Sequence, residues 1–360
     1  MRYTYPIVAA LLLIAALMFP SCSLAVNEDG WDTGTDVCLY DFMESANKAG
    51  KPRILYTGKT NGTLNMRSSA DRTSPSLGVV SENKTVDIFG FDQEWLFCWR
   101  DDVGVYYLLR HYVDTIEPVE QNTAPYGVIK NRFVATVSRD TVLRTSPDEH
   151  AEKIDEYPAG TRLSFWMIED GWAVVPYKRV VGYIYVGDLC DLTPVAPDVA
   201  DAQDGDILAA FTTFYSIAKT ELNVGRIENL IVGCRYIQRS YMPGEEFDFN
   251  NIAGPYRSAR GYKPSPVLID GGTVAGYGGG TCQVSTTLYN ALLQLYDGIT
   301  ILWRRPHGPG GAKYAPHGVD AAVGAVNLNL EFRNDYDFPI TLDCSVLNGA
   351  LCICIRKGTA

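Results

Sequence analysis

Histidine is scarce in this sequence, with four residues in 360. No cysteine or histidine spacing matches a metal-ligand pattern, and Cys352-Ile353-Cys354 has no histidine beside it, so neither a metal nor a cofactor is expected. Basic residues are outnumbered, 31 Lys+Arg against 42 Asp+Glu, for a net charge of −11. A nucleic-acid binder needs a basic face to meet phosphates, so that class is excluded. Nine cysteines are too few for a disulfide-dense miniature scaffold. Beyond residue 25 no apolar run is long enough to span a bilayer. What is present is a 46% hydrophobic chain, enough apolar material to build cores and to exclude intrinsic disorder. The length predicts two or three domains.

Residues 1–25 read as a secretory signal peptide. Arg2 gives a positive start, Ile7 to Phe19 is an apolar run, and Pro20 breaks it before the small residues Ser23 and Ala25. The alternative is a lipoprotein signal with Cys22 as the lipidated residue. Cleavage after Ala25 removes one Arg and no acid, so the mature charge becomes −12. Export places the protein outside the cytoplasmic membrane, secreted or in the cell envelope, with no membrane span left after signal removal.

The first half contains an internal repeat. Leu64-Asn65-Met66-Arg67-Ser68-Ser69 answers to Thr141-Val142-Leu143-Arg144-Thr145-Ser146, and Trp95 to Trp172. Thr85 to Phe89 answers to Thr161 to Phe165, and Gly104 to Gly182. A near-constant offset across four landmarks means a duplicated unit. Short alternating runs between Gly, Asp, Asn and Pro predict small β-barrels. The two copies, residues 53–118 and 130–194, resemble bacterial SH3-like domains, which commonly accompany cell-wall enzymes; the resemblance implies either wall binding or a spacer role. The Pro-, Ala- and Asp-rich stretch 195–206 reads as a linker.

The strongest signal is Gly278-Gly279-Gly280-Thr281-Cys282-Gln283-Val284-Ser285. Val284, Leu288, Ala291, Leu292 and Leu295 share one face of a helix, and the glycines cannot belong to it. Cys282 therefore sits at a helix N-terminus, where free N–H groups and the helix dipole favour a thiolate. Amides of Gly279, Gly280 and Thr281 lie where an oxyanion would develop. A phosphate loop is the weaker reading, because no lysine follows the glycines. A thiolate nucleophile needs a base. His307 and His317 follow in a Gly- and Pro-rich segment, and Asp320 is placed to orient one of them.

The second half resembles the VanW family, named after an accessory protein of some vancomycin-resistance clusters. The resemblance is carried by Pro243 to Asn250, Gly261-Tyr262-Lys263, Pro266-Val267 and Gly278 to Ala291. It continues through Arg305, His307, Tyr314 to Ala321, Asn334 and Pro339-Ile340. Gly308 departs from the family's usual serine, and the spacing from His307 to Tyr314 is one residue longer. The resemblance implies an L,D-transpeptidase acting on peptidoglycan stem peptides, with Cys282 as nucleophile, His307 as acid/base and Asp320 as its orienter. It also implies substrate or oxyanion contacts from Gln283, Ser285, Thr286, Tyr314 and an arginine among Arg257, Arg260 and Arg305. A cysteine peptidase cutting the same stems and a non-catalytic wall-binding protein are the competing readings.

The expected fold is mixed: two all-β SH3-like barrels, then an α+β domain over residues 207–360. A helix is expected over Arg226 to Gln238. Strands are expected over Val323 to Phe332, Ile340 to Leu347 and Leu351 to Arg356, with a hairpin turn at Asn348-Gly349. Cys344 and Cys352 flank that hairpin, so a disulfide between them is one expectation.

Overall fold

The computed structural model describes residues 52–91, 94–120, 125–269, 272–307, 312–316, 318–324 and 327–359. The signal segment, Cys22, His317 and the 308–311 loop lie outside the described residues. The protein is mostly β-sheet with few helices.

The first unit has strands β1 (Tyr56–Thr60), β2 (Leu64–Arg67), β3 (Ser76–Val80), β4 (Thr85–Phe91), β5 (Trp95–Arg100), β6 (Gly104–Leu109) and β7 (Val113–Pro118). They form one sheet in the order β3-β2-β6-β5-β4-β1-β7. The second unit has β8 (Phe133–Val137), β9 (Thr141–Arg144), β10 (Lys153–Tyr157), β11 (Arg162–Phe165), β12 (Met167–Glu169), β13 (Trp172–Tyr177), β14 (Val180–Tyr185) and β15 (Leu189–Pro194). These split into sheets β10-β9-β14-β13-β12 and β11-β8-β15. The repeat survives in detail. Arg67 donates to the Ser74 carbonyl at 2.7 Å and Arg144 to the Ala151 carbonyl at 2.9 Å, so the signature arginine holds the same loop in each copy.

The expected barrels are corrected. The sheets do not close: β3 and β7 remain unpaired edges of the first, and the second unit breaks between β11 and β12. The second unit instead completes its core with the C-terminal domain. Phe214 and Ala350 pack with Leu143, Tyr157, Leu163 and Phe165. Arg162 pairs with Asp343 at 2.9 Å across this junction. Residues 195–206 carry buried Val195 and Ala202, so this segment is seated on the domain.

The C-terminal domain contains β16 (Ile207–Phe214), α1 (Glu221–Ile237), β17 (Ser240–Tyr241), β18 (Glu246–Asp248), α2 (Phe249–Ala253), β19 (Pro264–Ile269) and β20 (Gly272–Tyr277). It continues with α3 (Thr281–Leu292), β21 (Ile299–Arg304), β22 (Leu330–Asn334), β23 (Ile340–Leu347) and β24 (Ala350–Lys357). An antiparallel sheet β16-β24-β23-β17 carries α3 and α1, β18-β22-β21 forms a second sheet, and β19-β20 is a hairpin. All eight residues of β16 are buried because α3 covers one face and the second unit's β11 the other. A strand covered on both faces is largely apolar, and its two polar residues, Thr212 and Thr213, are hydrogen-bonded to Ser164 on one side and to Thr287 and Gln283 on the other. Thr220 caps α1 by accepting from the Asn223 amide. Asn348 and Gly349 both take positive φ, 53° and 87°, as a two-residue hairpin turn requires.

Two further expectations change. The strand begins at Leu330, well after Val323, because the preceding segment is pinned to α3 instead. Cys344 lies opposite Ile353 and Cys352 opposite Ser345, so the two cysteines face opposite sides of the sheet and cannot pair. The side chain in contact with Cys344 is that of Cys234 on α1. Among the described residues no helix is long and apolar enough to cross a membrane.

Candidate active site

Helix α3 starts at Gly280, whose φ of 109° only glycine adopts readily. Gly279 is equally constrained for another reason: a Cβ there would sit 2.1 Å from the Pro266 carbonyl oxygen. The Gly279 carbonyl accepts from buried Asn229 on α1 at 3.0 Å and from Ser265 at 3.1 Å, which fixes the loop. The turn delivers half-buried Cys282 into the first turn of a helix whose core face, Val284, Leu288, Ala291 and Leu292, is fully packed.

The opposite face of α3 is polar and also buried. Buried polar groups must find partners, and here the partners belong to the segment 319–323. Cys282 Sγ meets the Val323 amide and carbonyl at 3.4 Å. Ser285 donates to the Ala321 carbonyl at 2.6 Å, and Thr286 accepts from the Ala321 amide at 3.0 Å. Asn290 donates to the Val319 carbonyl at 2.7 Å. The segment therefore runs antiparallel to the helix, with alternate residues held by their backbones.

That register aims the residue between them, Asp320, at His307. Asp320 Oδ2 accepts from the His307 ring Nδ1 at 2.5 Å and from its amide at 2.9 Å. Arg304 grips the same place, donating to the Asp320 carbonyl at 2.7 Å and lying 3.6 Å from its carboxylate. The Asp320 side chain is only 2% exposed. Burial works against its charge, but the His307 and Arg304 contacts outweigh it and hold the carboxyl below its usual value. Burial likewise opposes charge on His307; hydrogen bonds to Asp320 and to the Cys282 side chain prevail and push it up to about 10. With Nδ1 donating to the ionised Asp320, Nε2 is left to face Cys282.

Three of the residues expected at the site, Cys282, His307 and Asp320, are thus brought into one chain of contacts. Tyr314 lies beside Cys282 and Thr286; burial and the neighbouring Cys282 push its hydroxyl above its usual value. Other expectations are redirected. Ser285 and Thr286 are buried and bonded to Ala321, so they position the segment, and Thr286 also meets the Tyr314 side chain. Gln283 is 1% exposed and donates to Thr213 and to the Phe214 carbonyl. The amides of Thr281 and Gln283 are taken by the carbonyls of Gly278 and Gly280, at 3.1 and 2.8 Å. The Cys282 amide has no such backbone partner among the described residues. Arg257 and Arg305 are exposed. Arg260 donates to the Ile252 carbonyl at 2.8 Å and lies over the Tyr236 ring, while its buried Nε has no partner among the described residues.

Sequence reasoning missed Arg226, Asn229, Tyr256 and Arg304. Arg226 reaches Gln283 Oε1 at 2.7 Å and lies within electrostatic range of Cys282 and Tyr314. Tyr256 donates to Asn250 at 2.8 Å, and the same oxygen accepts from Gly324 at 3.0 Å, closing the wall beside Val323.

The fold and site define an α+β domain that seats a cysteine, a histidine and an aspartate at the start of one buried helix. Residues 225–356 match the family model described as VanW like protein. The chain is 31% identical to "Uncharacterized protein YoaR" of Bacillus subtilis (strain 168) over 147 residues, 41% of this chain and 46% of that one. The chain therefore spans less than half the length of this relative. Among solved structures, NlpC2 and NlpC1 from Trichomonas vaginalis overlay at TM-score 0.16 with 10% and 11% identity. Each covers 85% of this chain, and 97% and 93% of its own. An NlpC/P60 family protein from Bacillus cereus ATCC 10987 scores 0.16 at 9% identity, covering 52% of this chain and 65% of its own. Scores this low carry no argument about fold or chemistry.

Proposed function

We propose that the protein is an extracytoplasmic cysteine acyltransferase of the cell wall, an L,D-transpeptidase joining peptidoglycan stem peptides. The observation that carries the chemistry is His307 held between Cys282 and buried Asp320. What supports the wall as substrate is the match to the VanW family model, together with the likeness of the duplicated unit to SH3-like wall modules.

In this reading the Cys282 thiolate attacks the carbonyl carbon of the third stem residue. The C–N bond to the terminal D-alanine breaks, and His307 Nε2–H gives its proton to the departing amine. Charge on the carbonyl oxygen is met by the Cys282 amide and the N-terminal dipole of α3. The side-chain amine of a second stem then attacks the thioester, His307 takes its proton, and the thiolate leaves with a 3→3 cross-link formed. Water in place of the amine would make the same site a stem peptidase.

The test is incubation of the purified protein with muropeptides, followed by mass spectrometry. D-Alanine release with dimer formation is expected. Cleavage without dimers would establish the peptidase, and full activity in Cys282→Ala would remove the site assignment.

A further inference from the structure

The guanidinium of Arg226 is out of balance with its surroundings. It is half-buried on α1 beside the start of α3, and no carboxylate of the described residues lies within salt-bridge distance. Its one side-chain hydrogen bond among those residues goes to a neutral acceptor, Gln283 Oε1 at 2.7 Å. That acceptor is itself immovable, because its amide nitrogen donates to Thr213 at 3.0 Å and to the Phe214 carbonyl at 3.1 Å. Burial disfavours the charge of Arg226, and the groups that favour it are Tyr314, Cys282 and Tyr215. Tyr314 stays neutral at ordinary pH, because burial and the neighbouring Cys282 raise its hydroxyl. A guanidinium has five N–H donors in a planar fork suited to a carboxylate, and the fork of Arg226 meets only one neutral amide oxygen among the described residues.

We infer that Arg226 binds the free carboxylate of the residue expelled from the acyl carbon when Cys282 attacks it, and so recognises the single C-terminal residue that follows the scissile bond. The inference rests on the thioester reading above and adds the residue that recognises the leaving group. In such a substrate the carboxylate carbon is three bonds from the attacked carbonyl, under about 4 Å away. Arg226, packed against Gly280 at the start of the same helix and bonded to Gln283, is the cation placed to meet it. A longer peptide, or one ending in an amide, puts a neutral carbonyl at the same place and leaves Arg226 unpaired. Arg257 and Arg305, by contrast, are exposed.

The test measures binding separately from chemistry. A stem tetrapeptide acid and its C-terminal amide are titrated into Cys282→Ala by calorimetry, and into the same variant carrying Arg226→Gln or Arg226→Lys. The acid should bind about 10-fold or more tighter than the amide. Arg226→Gln should abolish that preference, and Arg226→Lys should keep part of it, since a charge remains without the fork. Unchanged thermal unfolding shows that each variant is folded; if Arg226→Gln unfolds, Arg226→Lys carries the comparison. Equal binding of acid and amide, or a preference that survives Arg226→Gln, overturns the inference. Wild-type protein is then mixed with the acid and weighed intact. A carboxylate preference with no acyl adduct on Cys282 would sink the thioester reading and leave Arg226 standing. An adduct formed equally from acid and amide would do the reverse, and no binding of either peptide would remove both.

Discussion

Replacing Asp320 with Asn leaves the shape of the site intact and removes its one buried carboxylate. His307 is held up to about 10 against an ordinary 6.5, although burial alone would lower it. A rise from 6.5 to about 10 corresponds to about 5 kcal/mol of preference for the charged imidazole. Asp320 supplies the first of the favourable interactions and Cys282 the second. Without the carboxylate, burial opposes the Cys282 interaction alone, and the titration should fall by more than one unit toward the ordinary value. Imidazole NMR on labelled protein reads this directly, with His111, which burial lowers, as an internal contrast. The sign for stability follows from the raised folded value. His307's contribution is complete below about pH 6.5 and is lost as pH rises toward 10, by up to about 5 kcal/mol. Asp320, lowered by folding, adds stability that is lost at the acid end. Asp320→Asn should flatten the alkaline decline in Tm. A wild-type His307 midpoint near 6.5, or one that Asp320→Asn leaves in place, would refute the reasoning.

Gly279→Ala should cost about 1–3 kcal/mol in denaturant unfolding and slow labelling of Cys282 by a thiol probe, because its Cβ would meet the Pro266 oxygen at 2.1 Å. Wild-type labelling and stability in that variant would contradict the loop's role. Asp343→Asn should destabilise by about 2 kcal/mol, since Asp343 joins Arg162 at 2.9 Å across the junction with the second unit and Arg356 at 3.1 Å within the domain; urea midpoints measure it. Thr286→Val should lower turnover by more than its stability loss of about 1 kcal/mol, because the Ala321 amide it holds sets the aim of Asp320. Mild oxidation with a low-molecular-weight disulfide should link Cys234 to Cys344 and never Cys344 to Cys352, as peptide mapping will show.

The helix carrying Cys282 was legible because three glycines end abruptly against an apolar i, i+4 pattern. The duplication was legible because both copies reuse an arginine, a tryptophan and a glycine at one offset. Closure of the barrels was not legible, since strand patterns do not say whether edges meet; the second unit finishes its core on Phe214, far away in sequence. The strand expected from Val323 failed because alternation there also serves a segment laid along a helix. A signal for it existed: Ser285, Thr286 and Asn290 are polar residues on a helix that the apolar pattern buries. Arg226 and Arg304 carried no such signal, since each occupies an ordinary position in a helix or strand and acquires its neighbours only by folding.

The central claim is that Cys282 becomes acylated. Intact mass spectrometry of the purified protein, quenched in acid shortly after mixing with a stem tetrapeptide, tests it most directly. The account predicts an adduct equal to the peptide minus its terminal residue and water, mapped to Cys282, absent in Cys282→Ala and removed by hydroxylamine. An unmodified protein that still converts the peptide, or an adduct on any other residue, would contradict it.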